Sequence, residues 1–256
     1  MAWIFVAVLA AAIVALALRD RRAIAQLERR LEASSRELEA LQHAFSRFAP
    51  AEVVEEIIAQ GISTRPEKKE ITVLFADLKG FTAMSERLDP AELVTILNDY
   101  FERMSRVITA HRGHVSKFIG DGILALFGAL EANPWQTNDA VRAAFAMQAS
   151  LAEVNARLAT NGGPTLAMGV GIHRGVVVAG VIGSAELVEY GVIGSTVNVA
   201  SRVQGLTRVH GVDVLVTAAV RERLDPRVVV RALPAVEVKG LPQPIATFTV
   251  TPGDGF

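Results

Sequence analysis

The chain has 256 residues and no cysteine, so neither a disulfide nor a thiolate-bound metal contributes to its stability or chemistry. Its formal net charge of −1 excludes a strongly basic nucleic-acid-binding protein, and we expect no nucleic acid partner. The length allows one domain of ordinary size and an additional segment.

The N-terminal segment is strongly apolar. Residues 1–18 carry no charged side chain and are followed at once by a basic segment, Arg19–Arg22. This length is close to the minimum for crossing a bilayer, so the segment predicts a single transmembrane helix. The positive charges behind it predict a single-pass protein of the inner (plasma) membrane with its C-terminal bulk in the cytoplasm. A cleaved secretory signal is the alternative, but such signals carry positive charge before the apolar run.

A heptad pattern follows over residues 19–48. Its seam positions are Ile24, Leu27, Leu31, Ser34, Leu38, Leu41, Phe45 and Phe48. The alternating spacing of three and four predicts a dimeric parallel coiled coil, and an amphipathic helix lying on the membrane or on its own domain is the alternative. Residues 49–66 are predicted to be a helical connector and linker, with the domain boundary in the polar segment GISTRPEKKE.

Residues 67–252 are predicted to form an α+β domain. The predicted elements are, in chain order, a buried strand over 71–76, a helix over 90–110, two short strands joined at Gly120–Gly122, a helix over 135–158 and a β-rich pair split around residues 173–175. The order βαββαβ predicts a ferredoxin-like or palm sheet with helices on one face and extra C-terminal strands.

Two aspartates stand at the ends of these apolar, β-like segments. Asp77 ends the first strand, and Asp121 occupies the tip of the predicted hairpin. If the hairpin lies beside the strand in one sheet, the two carboxylates converge within reach of hard cations such as Mg²⁺, which take oxygen ligands. Two ions held in this way suit in-line attack at phosphorus. Taken alone, each aspartate is better explained as a turn residue.

Five ordered segments resemble the catalytic domain of class III nucleotidyl cyclases, which make cyclic AMP or cyclic GMP. They are VLFADLKGFT, SKFIGDGILALFG, GVGIHRGVVVAGVIG, VIGSTVNVASRV and VEVKG. The resemblance covers residues 70–250 and is strongest to bacterial adenylate cyclases. It implies a homodimer with two shared active sites, each built from residues of both chains.

The resemblance implies metal and phosphate ligands. Asp77 and Asp121 match the two metal-binding aspartates, with the main-chain carbonyl of Leu78 as an additional ligand, for two Mg²⁺ or Mn²⁺ ions per active site. The turn formed by Gly80, Phe81 and Thr82 matches the one whose backbone amides receive the triphosphate. Lys239 matches the lysine that holds the terminal phosphates, although a strand-end charge is the plainer explanation of this residue alone.

A transition-state pair is implied from the opposite chain. Asn198 and Arg202 match this pair, and their spacing of four places both on one helical face. Arg202 would stabilise charge that grows on the transferred phosphorus and the leaving pyrophosphate. Considered singly, each side chain is better explained as a solvated group on a helix surface.

The resemblance is less complete at the purine site. Lys117 matches the position where adenylyl members have Lys and guanylyl members usually have Glu, and a donor there suits the N1 acceptor of adenine. The second purine position, usually Asp or Thr in adenylyl members, is Gly191, so water, backbone or Ser195 would have to accept from the N6 amine. Asp213 stands where some members carry a basic residue, which removes one phosphate contact.

The function implied is that of an adenylate cyclase, which converts ATP to 3′,5′-cyclic AMP and pyrophosphate. His173 is the only imidazole near one of the segments, and we expect it to be structural rather than a general base. Two alternatives stay open. One is a guanylate cyclase, which Lys117 opposes; the other is a catalytically silent module for dimerisation and nucleotide sensing, which Gly191 and Asp213 favour.

Overall fold

The fold is described from a computed structural model. The described residues are Arg21, 30–36, 66–184, 188–236 and 244–254. The chain divides into two compact units, residues 1–59 and residues 60–256.

Most of the first unit lies outside the described residues. This applies to the predicted membrane helix, to the connector as far as residue 65 and to most of the predicted coiled coil. Within that coiled coil, residues 30–36 are helical, and Arg36 pairs with Glu32 one turn earlier at 3.7 Å. None of the helices in the described parts of the chain has the length and apolar character needed to cross a bilayer.

The second unit alternates strands and helices. Its described strands are β1 Glu67–Leu78, β2 Gly113–Ile119, β3 Gly122–Phe127, β4 Met168–Gly183, β5 Val188–Ile193, β6 Val214–Thr217, β7 Val229–Ala232 and β8 Thr247–Thr251. Its described helices are α1 Phe81–Ser85, α2 Pro90–Ala110, α3 Gln136–Thr160, α4 Ser195–His210 and α5 Ala218–Arg221.

The strands form one mixed sheet in the order β2-β3-β1-β4-β6-β8-β7, with β5 paired to β4. The first four strands in this order have the antiparallel arrangement of a ferredoxin-like unit, and β4 pairs with β6 in parallel. The structure therefore confirms the predicted α+β fold with its βαββαβ unit and extra C-terminal strands.

Helix α2 begins and packs as its sequence predicts. The Asp89 carboxylate accepts a hydrogen bond from the backbone N–H of Ala91 at 2.9 Å, and Pro90 occupies the first helical position. Its buried stripe consists of Ile96, Tyr100, Met104 and Ile108. This stripe joins α3 and one face of the sheet in the largest hydrophobic cluster.

Helices cover both faces of the sheet: α2 and α3 of the βαββαβ unit share one face, as predicted, and α4, which follows that unit, covers the other. Strand β1 is apolar on both sides: Leu74 and Ala76 belong to the cluster with α2 and α3, whereas Ile71 and Val73 belong to a second cluster with Ala200 of α4. Because successive side chains of a strand point to opposite faces, a strand that is apolar throughout needs cover on each side.

Strand pairing extends two elements beyond their predicted ends. The polar residues Glu67–Glu70, which precede the strand predicted over 71–76, are part of β1 and pair with residues 176–179 of β4. The β-rich pair predicted to split at His173 is one continuous strand, in which His173 lies opposite Val73. The backbone hydrogen bonds of a long neighbouring strand hold these segments extended, whatever the polarity of their side chains.

Candidate active site

The sheet brings Asp77 and Asp121 together. Ala76 pairs with Ile123 across β1 and β3, so the end of β1 lies beside the hairpin tip. The backbone N–H of Leu78 donates to Asp121 Oδ2 at 3.0 Å, and the two carboxyl groups are themselves within hydrogen-bonding distance. The convergence expected from the sequence is therefore present in a single chain.

The electrostatics of this pair favour a bound cation. Burial raises the pKa of Asp77 to about 6, and the hydrogen bond and negative charge of Asp121 act in the same direction. The positive charge of Arg208 opposes this increase in the pKa. Two partly buried carboxyl groups held this close are stabilised in their charged forms only when a cation lies beside them.

Arg208 supplies such a cation, and the sequence did not indicate it. Its Nη2 donates to Asp77 Oδ2 at 2.6 Å and to the carbonyl oxygen of Leu78 at 3.0 Å. These are two of the three oxygen-bearing groups that the resemblance assigned as metal ligands. The contact joins residues 131 positions apart, so no local pattern could have revealed it.

The oxygen set at this position fits a hard divalent cation. Asp77, Asp121 and the Leu78 carbonyl offer oxygen only, and a guanidinium already occupies a cation position against two of them. Among the described residues, no third His, Cys, Asp or Glu joins the two aspartates in a metal-binding cluster. Water and other oxygen ligands would therefore complete the coordination of a divalent ion.

The predicted phosphate turn follows the carboxylates directly. Gly80 has a φ of 74°, a left-handed conformation that lets the chain turn from β1 into α1, which begins at Phe81. Beside it, Lys79 Nζ donates to Asp213 Oδ1 at 2.6 Å and to the Val212 carbonyl at 3.1 Å. Asp213 thus holds a lysine next to the turn. The matched Lys239 lies outside the described residues.

The residues predicted for the purine site lie on β2, on β5 and at the start of α4. Lys117 Nζ lies 2.5 Å from Oε1 of Glu189, a residue that the sequence analysis did not single out. Gly191 is buried on β5, where it pairs with Gly180 of β4. A Cβ atom at Gly191 would lie 3.9 Å from the same Glu189 oxygen. Ser195 is exposed at the start of α4.

Asn198 and Arg202 lie on one face of α4, as their spacing predicted. Asn198 is exposed and Arg202 half-buried, and neither side chain has a hydrogen-bond or ion-pair partner within the described residues. Arg208, which contacts Asp77, lies six residues after Arg202 and ten after Asn198. At about 1.5 Å per residue, the pair begins roughly 9 Å along the helix from the residue that reaches the carboxylates. Within one chain, the Asn198–Arg202 pair therefore lies away from the carboxylates of Asp77 and Asp121.

His173 takes a structural position. Its Nδ1 lies 2.8 Å from Thr217 Oγ1, and burial lowers the pKa of the imidazole to about 4, so the ring is neutral. It lies in the middle of β4, four residues along β1 from the level of Asp77, because it pairs with Val73. The structural role expected for it agrees with this position.

Comparison with known proteins identifies relatives over most of the chain. An adenylate cyclase of Anabaena cylindrica is 36% identical over 203 residues, which are 76% of this chain and 39% of the relative. Adenylate cyclase 1 of Rhizobium meliloti strain 1021 is 34% identical over 198 residues, which are 77% of this chain and 30% of the relative. The chain thus spans between about a third and two fifths of the length of these curated relatives.

Solved structures show the same fold. The guanylyl cyclase Cya2 is 37% identical with a TM-score of 0.69, and the match covers 75% of this chain and 98% of that one. The adenylyl cyclase CyaB from P. aeruginosa is 26% identical with a TM-score of 0.69, and the match covers 73% and 96%. Residues 64–252 match the family described as the adenylate and guanylate cyclase catalytic domain, and the chain therefore belongs to that family.

Proposed function

We propose that the protein is an adenylate cyclase that converts ATP to 3′,5′-cyclic AMP and pyrophosphate at a homodimer interface. The observation that carries the proposal is the convergence of Asp77 and Asp121 at an all-oxygen site where Arg208 already places a positive charge. Triphosphates of nucleosides are bound with divalent ions of the kind that such a site takes. The relatives named adenylate cyclases support the same reaction.

The distribution of site residues supports a dimer. The carboxylates lie at one end of α4, and the Asn198–Arg202 pair lies nearer the other end. Val176, Val178 and Ile193 share one face of β4 and β5, since Val178 pairs with Ile193, and are 58%, 36% and 59% exposed. A second copy docked on this apolar face would cover it and could bring its own Asn198–Arg202 pair to these carboxylates.

The N-terminal segments fit the same proposal. A parallel coiled coil over residues 19–48 would hold two catalytic domains together at high local concentration. A transmembrane helix over residues 1–18 would place the dimer at the plasma membrane, with the catalytic domains in the cytoplasm, where ATP is available.

Each residue then has a defined task in the reaction. Bound Mg²⁺ or Mn²⁺ ions would polarise the phosphate oxygens and lower the pKa of the ribose 3′-hydroxyl. The 3′-hydroxyl gives its proton to a phosphate oxygen of the substrate, its oxygen bonds to the α-phosphorus, the bond from that phosphorus to the bridging oxygen breaks, and pyrophosphate leaves. Arg202 stabilises the charge that develops on the transferred group, and Asn198 orients the ribose. Lys79 adds a positive charge beside the triphosphate turn. His173 takes no part, since it is neutral and hydrogen-bonded to Thr217.

Lys117 favours ATP over GTP. An ammonium group donates to N1 of adenine, whereas N1 of guanine carries a hydrogen and needs an acceptor. The related structures include both a guanylyl and an adenylyl cyclase, so the purine preference of this chain must come from its own residues.

The test is a product assay with the purified full-length chain. It is incubated with ATP or GTP in the presence of Mn²⁺ or Mg²⁺, and products are separated by chromatography. Cyclic AMP from the wild type and none from Asp77→Ala is the expected result. Glu102→Ala, which removes an exposed carboxylate on α2, is the control and should keep full activity. Dominant cyclic GMP would overturn the ATP preference, and no product from a verified dimer would favour the silent nucleotide-sensing module.

A mixing experiment tests the shared sites. Asp77→Ala and Asn198→Ala chains are each expected to be inactive, but their mixed dimer keeps one intact site of two. Because random assembly makes half of the dimers mixed, activity should recover to about a quarter of the wild-type value. Verified mixed dimers without activity would contradict the proposal that each site takes residues from both chains.

A further inference from the structure

We propose that Glu189 is the second purine-reading residue of this protein and accepts the hydrogen bond from the adenine N6 amine that Gly191 cannot accept. The inference rests on the proposed function, because it concerns how ATP is recognised at the same site. It names an acceptor in this chain, in place of water or Ser195.

The β4–β5 pairing places the Glu189 side chain beside Gly191. Glu189 lies opposite Ile182 and Gly191 opposite Gly180, so Glu189 and Gly191 are two residues apart on one face of β5. The Glu189 Oε1 atom lies 3.9 Å from the position that a Cβ at Gly191 would take. The carboxylate therefore lies where the side chain of a larger residue at position 191 would begin.

The same oxygen is paired with Lys117 at 2.5 Å. The two side chains are 37% and 56% exposed, and an ion pair with this much solvent contact contributes little to stability. What the pair does present is a donor and an acceptor side by side at a surface that a ligand can reach. The contact connects residues 72 positions apart, on β2 and β5.

This donor and acceptor match one edge of adenine. Adenine offers an acceptor at N1 and a donor at the adjacent N6 amine, so the Lys117 ammonium donates to N1 while the Glu189 carboxylate accepts from N6. Guanine in the same orientation places N1–H against the ammonium and O6 against the carboxylate. Both of these contacts are repulsive, so the pair discriminates against GTP as well as binding ATP.

The experiment compares ATP with purine riboside 5′-triphosphate, which lacks the 6-amino group. Removing a hydrogen bond to a charged acceptor should lower kcat/KM of Glu189→Ala for ATP by about 10- to 100-fold. Turnover of purine riboside triphosphate should change by no more than about twofold, because it makes no N6 contact in either protein. The wild type should itself prefer ATP to purine riboside triphosphate.

A compensating variant adds a positive test. A side chain at Gly191 meets Ile182 Cδ1 at 3.4 Å, an ordinary contact, so Gly191→Asp is accommodated. The Glu189→Ala/Gly191→Asp double variant should regain most of the ATP preference, because the Cβ atom of the new aspartate would lie 3.9 Å from the position of the lost Glu189 Oε1 atom. Glu102→Ala, which also breaks one exposed ion pair, is the matched control and should alter neither substrate.

Three results would overturn the inference. Equal losses with ATP and purine riboside triphosphate would show that Glu189 only positions Lys117, and a selective loss with GTP would show that it reads guanine N1–H. If no chain turns over ATP, calorimetric binding of α,β-methylene-ATP separates the two proposals. Weaker binding by Glu189→Ala would then support purine recognition without catalysis, and unchanged binding would refute it.

Discussion

Gly171 controls how closely α4 lies on the sheet, and replacing it with alanine should displace the helix. A Cβ atom at this position would lie 2.1 Å from the backbone nitrogen of Gln204, 2.5 Å from its Cα and 2.8 Å from the carbonyl oxygen of Ala200. All three atoms belong to the helix backbone. No side-chain rotation can therefore relieve the overlap, and α4 must move outward from β4.

The cost of this displacement has two parts. Overpacking of a close contact lowers the free energy of unfolding by typically about 1–3 kcal/mol, and a rigid backbone neighbour places Gly171→Ala near the upper value. For a domain of this size, that corresponds to a fall in Tm of about 6–12 °C. The same helix carries Asn198 and Arg202, so a shift of about 1 Å should also reduce turnover roughly 100-fold.

Gly205→Ala is the matched control on the same helix. A Cβ atom at Gly205 meets nothing within 4 Å, and alanine in a helix interior is more stable than glycine by about 0.5–1 kcal/mol. The two alanine variants should therefore change Tm in opposite directions when unfolding is followed by circular dichroism. If Gly171→Ala unfolds at the wild-type temperature and keeps full turnover, the close approach of α4 has no energetic consequence and this reasoning is refuted.

Three further predictions concern buried or paired charges. Arg208→Ala should tighten Mn²⁺ binding in an electron paramagnetic resonance titration without nucleotide, since Arg208 competes for Asp77 oxygen; unchanged affinity would contradict this. Because burial lowers the pKa of His173 from 6.5 to about 4, the unfolded chain binds the proton more tightly and stability falls as pH drops through this range. In urea unfolding, the free energy of unfolding of the wild type should fall between pH 7 and pH 5 by about 1 kcal/mol more than that of His173→Gln. This value allows for the partial exposure of the ring. Asp139→Ala should lower the unfolding free energy by about 2–3 kcal/mol, because the buried carboxylate accepts from Arg112 at 2.6 Å; a change under about 0.5 kcal/mol would refute this.

Local sequence patterns were sufficient to predict many of the helices and strands of the catalytic domain. The apolar run before Asp77 and the glycines around Asp121 predicted a strand end and a hairpin tip, and the structure has both. The apolar periodicity predicted the helix over 90–110, which is α2, and the spacing of Asn198 and Arg202 predicted their common helical face. These features depend on hydrogen bonds and periodicity within a few residues, so the sequence alone contains the information. The membrane helix and coiled coil remain predictions.

Strand pairing and helix packing determined the strand lengths, the position of α4 and the long-range contacts, which local patterns did not predict. The extension of β1 back to Glu67 depends on the backbone of β4, and the position of α4 depends on which face of the sheet remains uncovered. The contacts of Arg208 with Asp77 and of Lys117 with Glu189 join residues 131 and 72 positions apart. Strand register and helix packing bring such residues together, and neither is encoded in the spacing of nearby residues. The sequence by itself therefore determined which chemical groups end each element, and the fold decided which of those groups meet.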